Sequence, residues 1–387
     1  MIKQNSHKAP ILFILSLLFS IANFSFFYAQ DKKEMDKKIK EGTLLMYKNP
    51  DEAIRIGNKI IIDSKEDIDY KIRAYKLISD AYSSKRDYQK SLEYVIKANQ
   101  ILHLSKDALL KIVITNKMGI QYHQLKIYDK SIQYLDQAEQ MMLDHPVKDS
   151  VLYYLGANYI VRGFIYKEKL NCDIAIEYFD KGVNSLLISK SKLANSGISI
   201  AKYNKGNCYI LSSNYSKAKE NFQLAIDYAK NVNASSLQAF ALKGLAQVYT
   251  FEGKYTEAVT SLQEALTIST KVNDLILNQE IYKGLSENYL ALNKWEEYKH
   301  FHFEYLSTQK LIKERERKSI SDSLSEKKSE LNAKLNRDFS SLCMVYFFIF
   351  ILILVVVFVV VYRVKVTKKE IEKRQSKIAS LQNTKHI

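Results

Sequence analysis

GFIYKEKLNCDIAIEYFDKG, residues 163–182, and GNCYILSSNYSKAKENFQLA, residues 206–225, carry one pattern written twice. A small residue is followed three positions on by an aromatic, then after nine by a small residue. A bulky apolar residue comes four later and another small residue three beyond. The sets are Gly163, Tyr166, Ala175, Phe179, Gly182 and Gly206, Tyr209, Ala218, Phe222, Ala225. Upstream the pattern recurs as Gly119, Tyr122, Ser131, Leu135, Ala138 and, more weakly, as Ser79, Tyr82, Ser91, Val95, Ala98. Downstream come Ala246, Tyr249, Ala258, Leu262, Ala265, then Ser286 and Tyr289, whose copy departs at Tyr298, His302 and Tyr305. Before them all, Asn49-Pro50 and Ala53 read as the turn and second helix of an incomplete copy.

The pattern has a direct physical meaning. Small residues on two antiparallel helices let their backbones approach, and the aromatics fill the space on either side. A hairpin of this kind cannot bury its apolar face alone, so neighbours must stack. Polar stretches such as Lys85-Arg86-Asp87, Ser212-Ser213-Asn214 and Glu252-Gly253-Lys254 serve as the turns. With only 11 glycines and 3 prolines in 387 residues, the chain lacks the turn residues that a sheet fold needs. The expected fold is therefore all-α, a solenoid of six to seven helical hairpins.

These segments resemble tetratricopeptide repeats over residues 34–306. The first small residues, at 79, 119, 163, 206, 246 and 286, are spaced by 40, 44, 43, 40 and 40 residues. That is longer than the family's usual 34. The characteristic Trp of the first helix and the closing prolines are also absent, which implies longer helices and loops. The resemblance further implies that a partner lies along the first helices of the hairpins. Carried across, the groove positions include Arg73, Lys76, Asp80 and Ser83, then Val113, Asn116, Ile120 and His123. Next are Ala157, Ile160, Phe164 and Lys167, then Ile200, Tyr203, Asn207 and Ile210. Phe240, Lys243, Gln247 and Thr250 follow, with Glu280, Lys283 and Glu287 last. Such a row is apolar at its centre and polar at its ends, which suits an extended or helical peptide. Asn116 and Asn207 offer a donor and an acceptor to peptide backbone. The alternative is that the Ile and Phe side chains here are ordinary core.

Two apolar segments frame the repeats. Residues 1–29 run from basic Lys3 and Lys8 through an apolar stretch to Tyr28-Ala29-Gln30, the order of a signal peptide. An uncleaved anchor is the alternative. Leu342–Tyr362 holds 21 residues without a charge, enough at ~1.5 Å per residue to cross a ~30 Å hydrocarbon layer. Arg363, Lys365, Lys368 and Lys369 follow at once, which places residues 363–387 in the cytoplasm and residues 30–340, from the repeats to the span, outside it, at the inner membrane. Between them, residues 307–340 carry Ile320, Leu324, Leu331 and Leu335 in an imperfect heptad, a charged juxtamembrane helix able to pair as a coiled coil into a homodimer. This order resembles the sensor half of Bacteroidetes membrane regulators with external tetratricopeptide repeats. The 25 residues after the span leave no room for their kinase or DNA-binding output.

The net charge of +16 raises nucleic acid as a partner, but the excess is spread among acids except in the tail, which holds eight Lys/Arg against two Glu. Nucleic-acid binding is not expected. The tail is suited to anionic lipid or to a cytoplasmic protein. No phosphate-binding loop, dinucleotide fingerprint, zinc-protease helix or nucleophile elbow is present, and His300 and His302 point to different sides of a helix. No catalytic residue, metal ligand or cofactor is expected. Cys343 is expected to be a buried thiol. Cys172 and Cys208 lie on adjacent helices, close enough to consider a disulfide, but two free thiols are the preferred reading. The functional expectation is a membrane-anchored receptor or scaffold for a protein or peptide. The alternative is a sensor-regulator whose output domain is missing or separately encoded.

Overall fold

The computed structural model describes residues 32–383 except 47, 65, 66, 170, 192 and 273; the side chains of 271–272, 316, 318–330, 333–334 and 377–383 are also outside the description. The expected signal peptide lies outside the described residues. Every regular element described is helical. Helix α1 spans residues 32–45 and pairs with α2 (Pro50–Asp63), so the first copy is a whole hairpin. Five more hairpins follow: α3 (Ile68–Ser84) with α4 (Tyr88–Ile101), α5 (Ala108–Gln124) with α6 (Tyr128–Asp144), α7 (Lys148–Glu168) with α8 (Cys172–Ile188), α9 (Ala194–Leu211) with α10 (Tyr215–Lys230), and α11 (Ser235–Phe251) with α12 (Tyr255–Val272). Then α13 (Leu275–Ala291) packs on α12, and α14 (Trp295–Asn383) begins with Tyr298 and Phe301 against the last core cluster.

The repeated aromatic has a backbone role besides its packing. The carbonyls of Tyr82, Tyr122, Tyr166, Tyr209, Tyr249 and Tyr289 each accept a hydrogen bond from the amide five residues on, at 2.8–3.0 Å. In five of these turns the residue before that amide has positive φ: Arg86, Lys126, Ser213, Gly253 and Asn293. Its own amide donates back two residues inside the helix end. This is the Schellman motif, which satisfies the last carbonyls of a helix. Only one of the five positions is a glycine. In three of the six turns the next helix starts at once on an Asp or Asn: Asp87 accepts from the Lys90 amide at 3.1 Å, and Asn171 and Asn214 accept from the Ile174 and Lys217 amides at 3.2 Å.

Close backbone approach explains the small residues. A Cβ placed on Gly163 would fall 2.5 Å from the Phe179 ring, and one on Gly206 would fall 2.7 Å from Phe222. Gly244 presses the other side of Phe222, and a Cβ on Gly119 would meet Leu135 at 2.7 Å. Ala175, Ala218, Ala246 and Ala258 are fully buried at matching contacts. Where serine replaces alanine, its hydroxyl uses the same proximity: Ser131 Oγ donates to the Gly119 carbonyl at 2.8 Å, and Ser91 Oγ to the Ser79 carbonyl at 2.7 Å. Tyr122, Tyr166, Tyr209 and Tyr249 flank these contacts, with Tyr166 stacked on Tyr178 and Tyr122 on Tyr134.

The described residues up to 308 and those from 309 on form separate compact units. In the first unit the solenoid curls far enough for the Arg86 guanidinium, in the α3–α4 turn, to meet the Asp274 carboxylate at the start of α13, 3.4 Å away. In the second unit, Leu335–Ser376 contains a window of mean hydropathy 3.5, and none of it is buried. Cys343 is exposed on this helix, which corrects the expectation of a buried thiol: no second element among the described residues covers it. Leu331 and Leu335 are exposed as well. The side chains of Ile320 and Leu324 lie outside the described set.

One expectation is overturned inside the repeats. Cys172 and Cys208 form a disulfide, with their Cα atoms 5.3 Å apart. Cys172 is the first residue of α8, and Cys208 lies one turn from the end of α9. Stacking of adjacent hairpins brings those two ends together.

Candidate binding groove

The odd-numbered helices form the inner wall of the solenoid, and its two halves differ. In the first half the charges satisfy one another. Asp80 bridges Lys76 at 2.7 Å and Lys117 at 2.6 Å, joining α3 to α5. Burial alone would push the Asp80 carboxyl up, but Lys117 and Lys76 outweigh it and hold it well below the usual carboxylate range. Arg73 lies between Asp36 and Asp107, at 3.7 and 3.5 Å. Ser83 and Gln121 bond to each other across the same two helices.

At the middle of the wall several expected contacts turn inward. Asn116 is 2% exposed, and its Oδ1 accepts from Asn158 Nδ2 at 3.0 Å. Asn158 in turn donates to the Leu135 carbonyl and accepts from Arg162 Nε. Ile160 is 5% exposed and belongs to the core around Phe179. His123 is 7% exposed, stands 5.7 Å from the Phe164 ring and faces Glu168, with Nε2 3.5 Å from its Oε1. Burial pulls the His123 pKa down against the opposing pull of Glu168. These three side chains are buried within the wall, which corrects their expected exposure to the groove. Ile120 and Phe164 remain half-buried at its surface.

The second half is more open. Tyr203 is half-buried and leans on Phe222 and Phe240, with ring centroids 5.8 and 6.1 Å away. Asn207 is half-buried one turn further on. Gln247 and Lys283 are exposed, and Lys243 stands 3.7 Å from Glu280. Lys243, Gln247, Glu280 and Lys283, with Thr250, Glu287, Asn288 and others, line a pocket of about 160 Å³ between α11 and α13. Its walls carry both signs of charge and a polar floor, where Thr250 Oγ1 donates to Asn288 Oδ1 at 3.0 Å. Such a surface binds polar main chain and charged side chains by hydrogen bonds. The sequence reading passed over Asn204, whose Oδ1 accepts from the Lys167 ammonium at 2.5 Å. Spacing alone favoured Asn207; only the curvature of the wall brings α7 and α9 close at Asn204.

Two comparisons with known proteins agree with this geometry. Residues 197–271 match the tetratricopeptide repeat. That segment holds α10 and α11 entire, with most of α9 and α12, and the tetratricopeptide fold extends from it by the same packing in both directions. Among solved structures, a STAND signal-transduction ATPase with a tetratricopeptide-repeat sensor from Pyrococcus horikoshii superposes with a TM-score of 0.55. It shares 17% identity over 70% of this chain and 39% of its own length. NprR in complex with its cognate peptide NprX superposes with a TM-score of 0.50, 14% identity, and coverage of 79% of this chain and 90% of NprR. At these identities the likeness concerns the fold. No curated protein matches the chain.

Proposed function

We propose that this chain is a membrane-anchored, non-catalytic tetratricopeptide receptor that holds an extended peptide segment along the inner wall of its repeats. The observation that carries the reading is the open second half of that wall, where half-buried and exposed polar side chains of α9, α11 and α13 surround a pocket of about 160 Å³. NprR, a solved relative by fold, is seen with a peptide, which supports the same class of ligand here.

The anchor is the apolar segment Leu342–Tyr362. Its side chains are exposed along a helix that no other described residue covers, and lipid is the solvent in which such a surface is stable. The disulfide Cys172–Cys208 supports placing the repeats outside the cytoplasm, because disulfides persist in oxidising compartments. The cluster Arg363, Lys365, Lys368 and Lys369 supports a cytoplasmic tail. Pairing of two copies through residues 307–340, and contact of the tail with a cytoplasmic protein, would convert occupancy of the groove into a signal.

The test is direct. The full chain in lipid nanodiscs is exposed to a library of short random peptides, and bound sequences are competed with unlabelled peptide. Saturable, competed binding is the expected result; failure to enrich any sequence sinks the reading. Orientation is checked separately with an export-dependent reporter enzyme fused after residue 340 or after residue 387. Activity is expected only from the first fusion.

A further inference from the structure

On the inner wall Lys167 and Lys243 stand near each other, and among the described residues only Lys243 has a carboxylate at ion-pair distance. Lys167, on α7, donates to the neutral Oδ1 of Asn204 at 2.5 Å, and among the described residues no carboxylate lies within ion-pair distance of it. Lys243, on α11, stands close enough to Lys167 to repel it, and its nearest carboxylate, Glu280, is 3.7 Å away, beyond a hydrogen bond. Burial holds the Lys167 ammonium below the usual lysine range; Glu168, its sequence neighbour, pulls the other way, and Lys243 adds to the depression. The contrast with the first half of the wall is sharp. There Lys76 and Lys117 share Asp80, with both ammonium groups within 2.7 Å of its oxygens. Two neighbouring ammonium groups with one carboxylate at ion-pair distance, that of the half-exposed Glu280 beside Lys243, leave a positive balance complementary to an anion. Tyr203 and Phe240, in ring contact at 6.1 Å, stand beside them: Tyr203 precedes Asn204 on α9, and Phe240 lies one turn before Lys243 on α11.

We infer that the groove receives an acidic side chain of its peptide between Lys167 and Lys243, flanked by an apolar residue against Tyr203 and Phe240. The inference rests on the peptide-binding reading above and narrows it to peptides with an internal Asp or Glu. Asn204 then acts as a holder: its Oδ1 keeps the Lys167 ammonium in place, while its Nδ2 is tied to the Ile200 carbonyl at 2.8 Å.

The experiment selects from a synthetic library of random nonapeptides with amidated C-termini, so that only side chains supply a carboxylate. The full chain in nanodiscs is compared with the double variant Lys167→Gln/Lys243→Gln and with Lys167→Arg/Lys243→Arg. Wild type and the Arg variant are expected to enrich Asp or Glu at one position of a shared register. Replacing that residue by its amide is expected to weaken binding to wild type about tenfold, the equivalent of one charge-assisted hydrogen bond. The same replacement is expected to change binding to the Gln variant less than about twofold, by the logic of a double-mutant cycle. Circular dichroism melts of the variants check that the repeats stay folded. Enriched peptides without a fixed acidic position, or an equal loss in the Gln variant, overturn the inference and leave peptide binding standing. No enrichment of any peptide overturns both.

Discussion

The two halves of the inner wall use the same ingredients to opposite ends. In the first half, Lys76, Asp80 and Lys117 form a closed triad between α3 and α5. In the second, Lys167 rests on a neutral amide and Lys243 on a distant carboxylate. The difference teaches that a charge on a concave surface says little about binding until its partners are known. A paired cation holds helices together, whereas an unpaired one is a burden to the fold and an asset to a ligand site.

The largest expected effect concerns what holds the second half in shape. The Cys172–Cys208 bond closes 36 residues between α8 and α9, and loss of such a cross-link costs about 3–4 kcal/mol by chain entropy. Cys172→Ala/Cys208→Ala is therefore expected to melt at a clearly lower temperature, and reduction of the wild type should reproduce the shift. If neither moves the melt, the second half is held by packing alone. Next in size is the triad. Asp80→Asn leaves two ammonium groups facing each other without their carboxylate, and about 2 kcal/mol of stability should be lost. Because the folded-state pKa of Asp80 lies below its unfolded value of ~3.9, its contribution is complete above that value. It disappears as the pH falls through it toward the folded pKa. The gap between wild type and Asp80→Asn in denaturant titrations should thus narrow on acidification below about pH 4; a gap constant down to pH 2 would contradict the triad's role.

The smallest effect has the opposite sign. The folded-state pKa of Lys167 is depressed, so holding its charge is unfavourable at neutral pH. The penalty is relieved only as the pH rises through that depressed value. Lys167→Met is expected to melt at or above the wild-type temperature while losing any preference for acidic peptides. A lower melting temperature would show Lys167 to be structural, and the two halves would then be alike.

The hairpins were legible in the sequence because their signal is local and repeated. A glycine, an aromatic and an alanine at fixed spacing report on one helix pair, and Gly163 against Phe179 repeats as Gly206 against Phe222. The wall was less legible because its exposure depends on how far each hairpin rotates against the next, which no single repeat encodes. Asn116, Ile160 and His123 occupy the same helical register as side chains that remain accessible, yet curvature between α5 and α7 closes over them. The disulfide was considered but not preferred for a related reason. Cys172 and Cys208 belong to different hairpins, and only stacking brings their Cα atoms to 5.3 Å. The apolar segment at 342–362 needed no such context, since an unbroken run without charges is informative by itself.

The turns hold a practical opportunity. Arg86, Lys126, Ser213 and Asn293 sit at positive φ in the Schellman positions that Gly253 fills elsewhere in the same chain. A side chain there strains the backbone, most at Arg86 and Lys126 and least at Asn293, whose short amide tolerates the conformation. Arg86 is kept for its ion pair with Asp274, but exchanging Lys126, Ser213 and Asn293 for glycine touches neither the inner wall nor the buried faces of the helices. It offers an engineer a set of independent, cumulative thermostabilising changes, suited to a hardened form of the receptor for ligand screening in detergent.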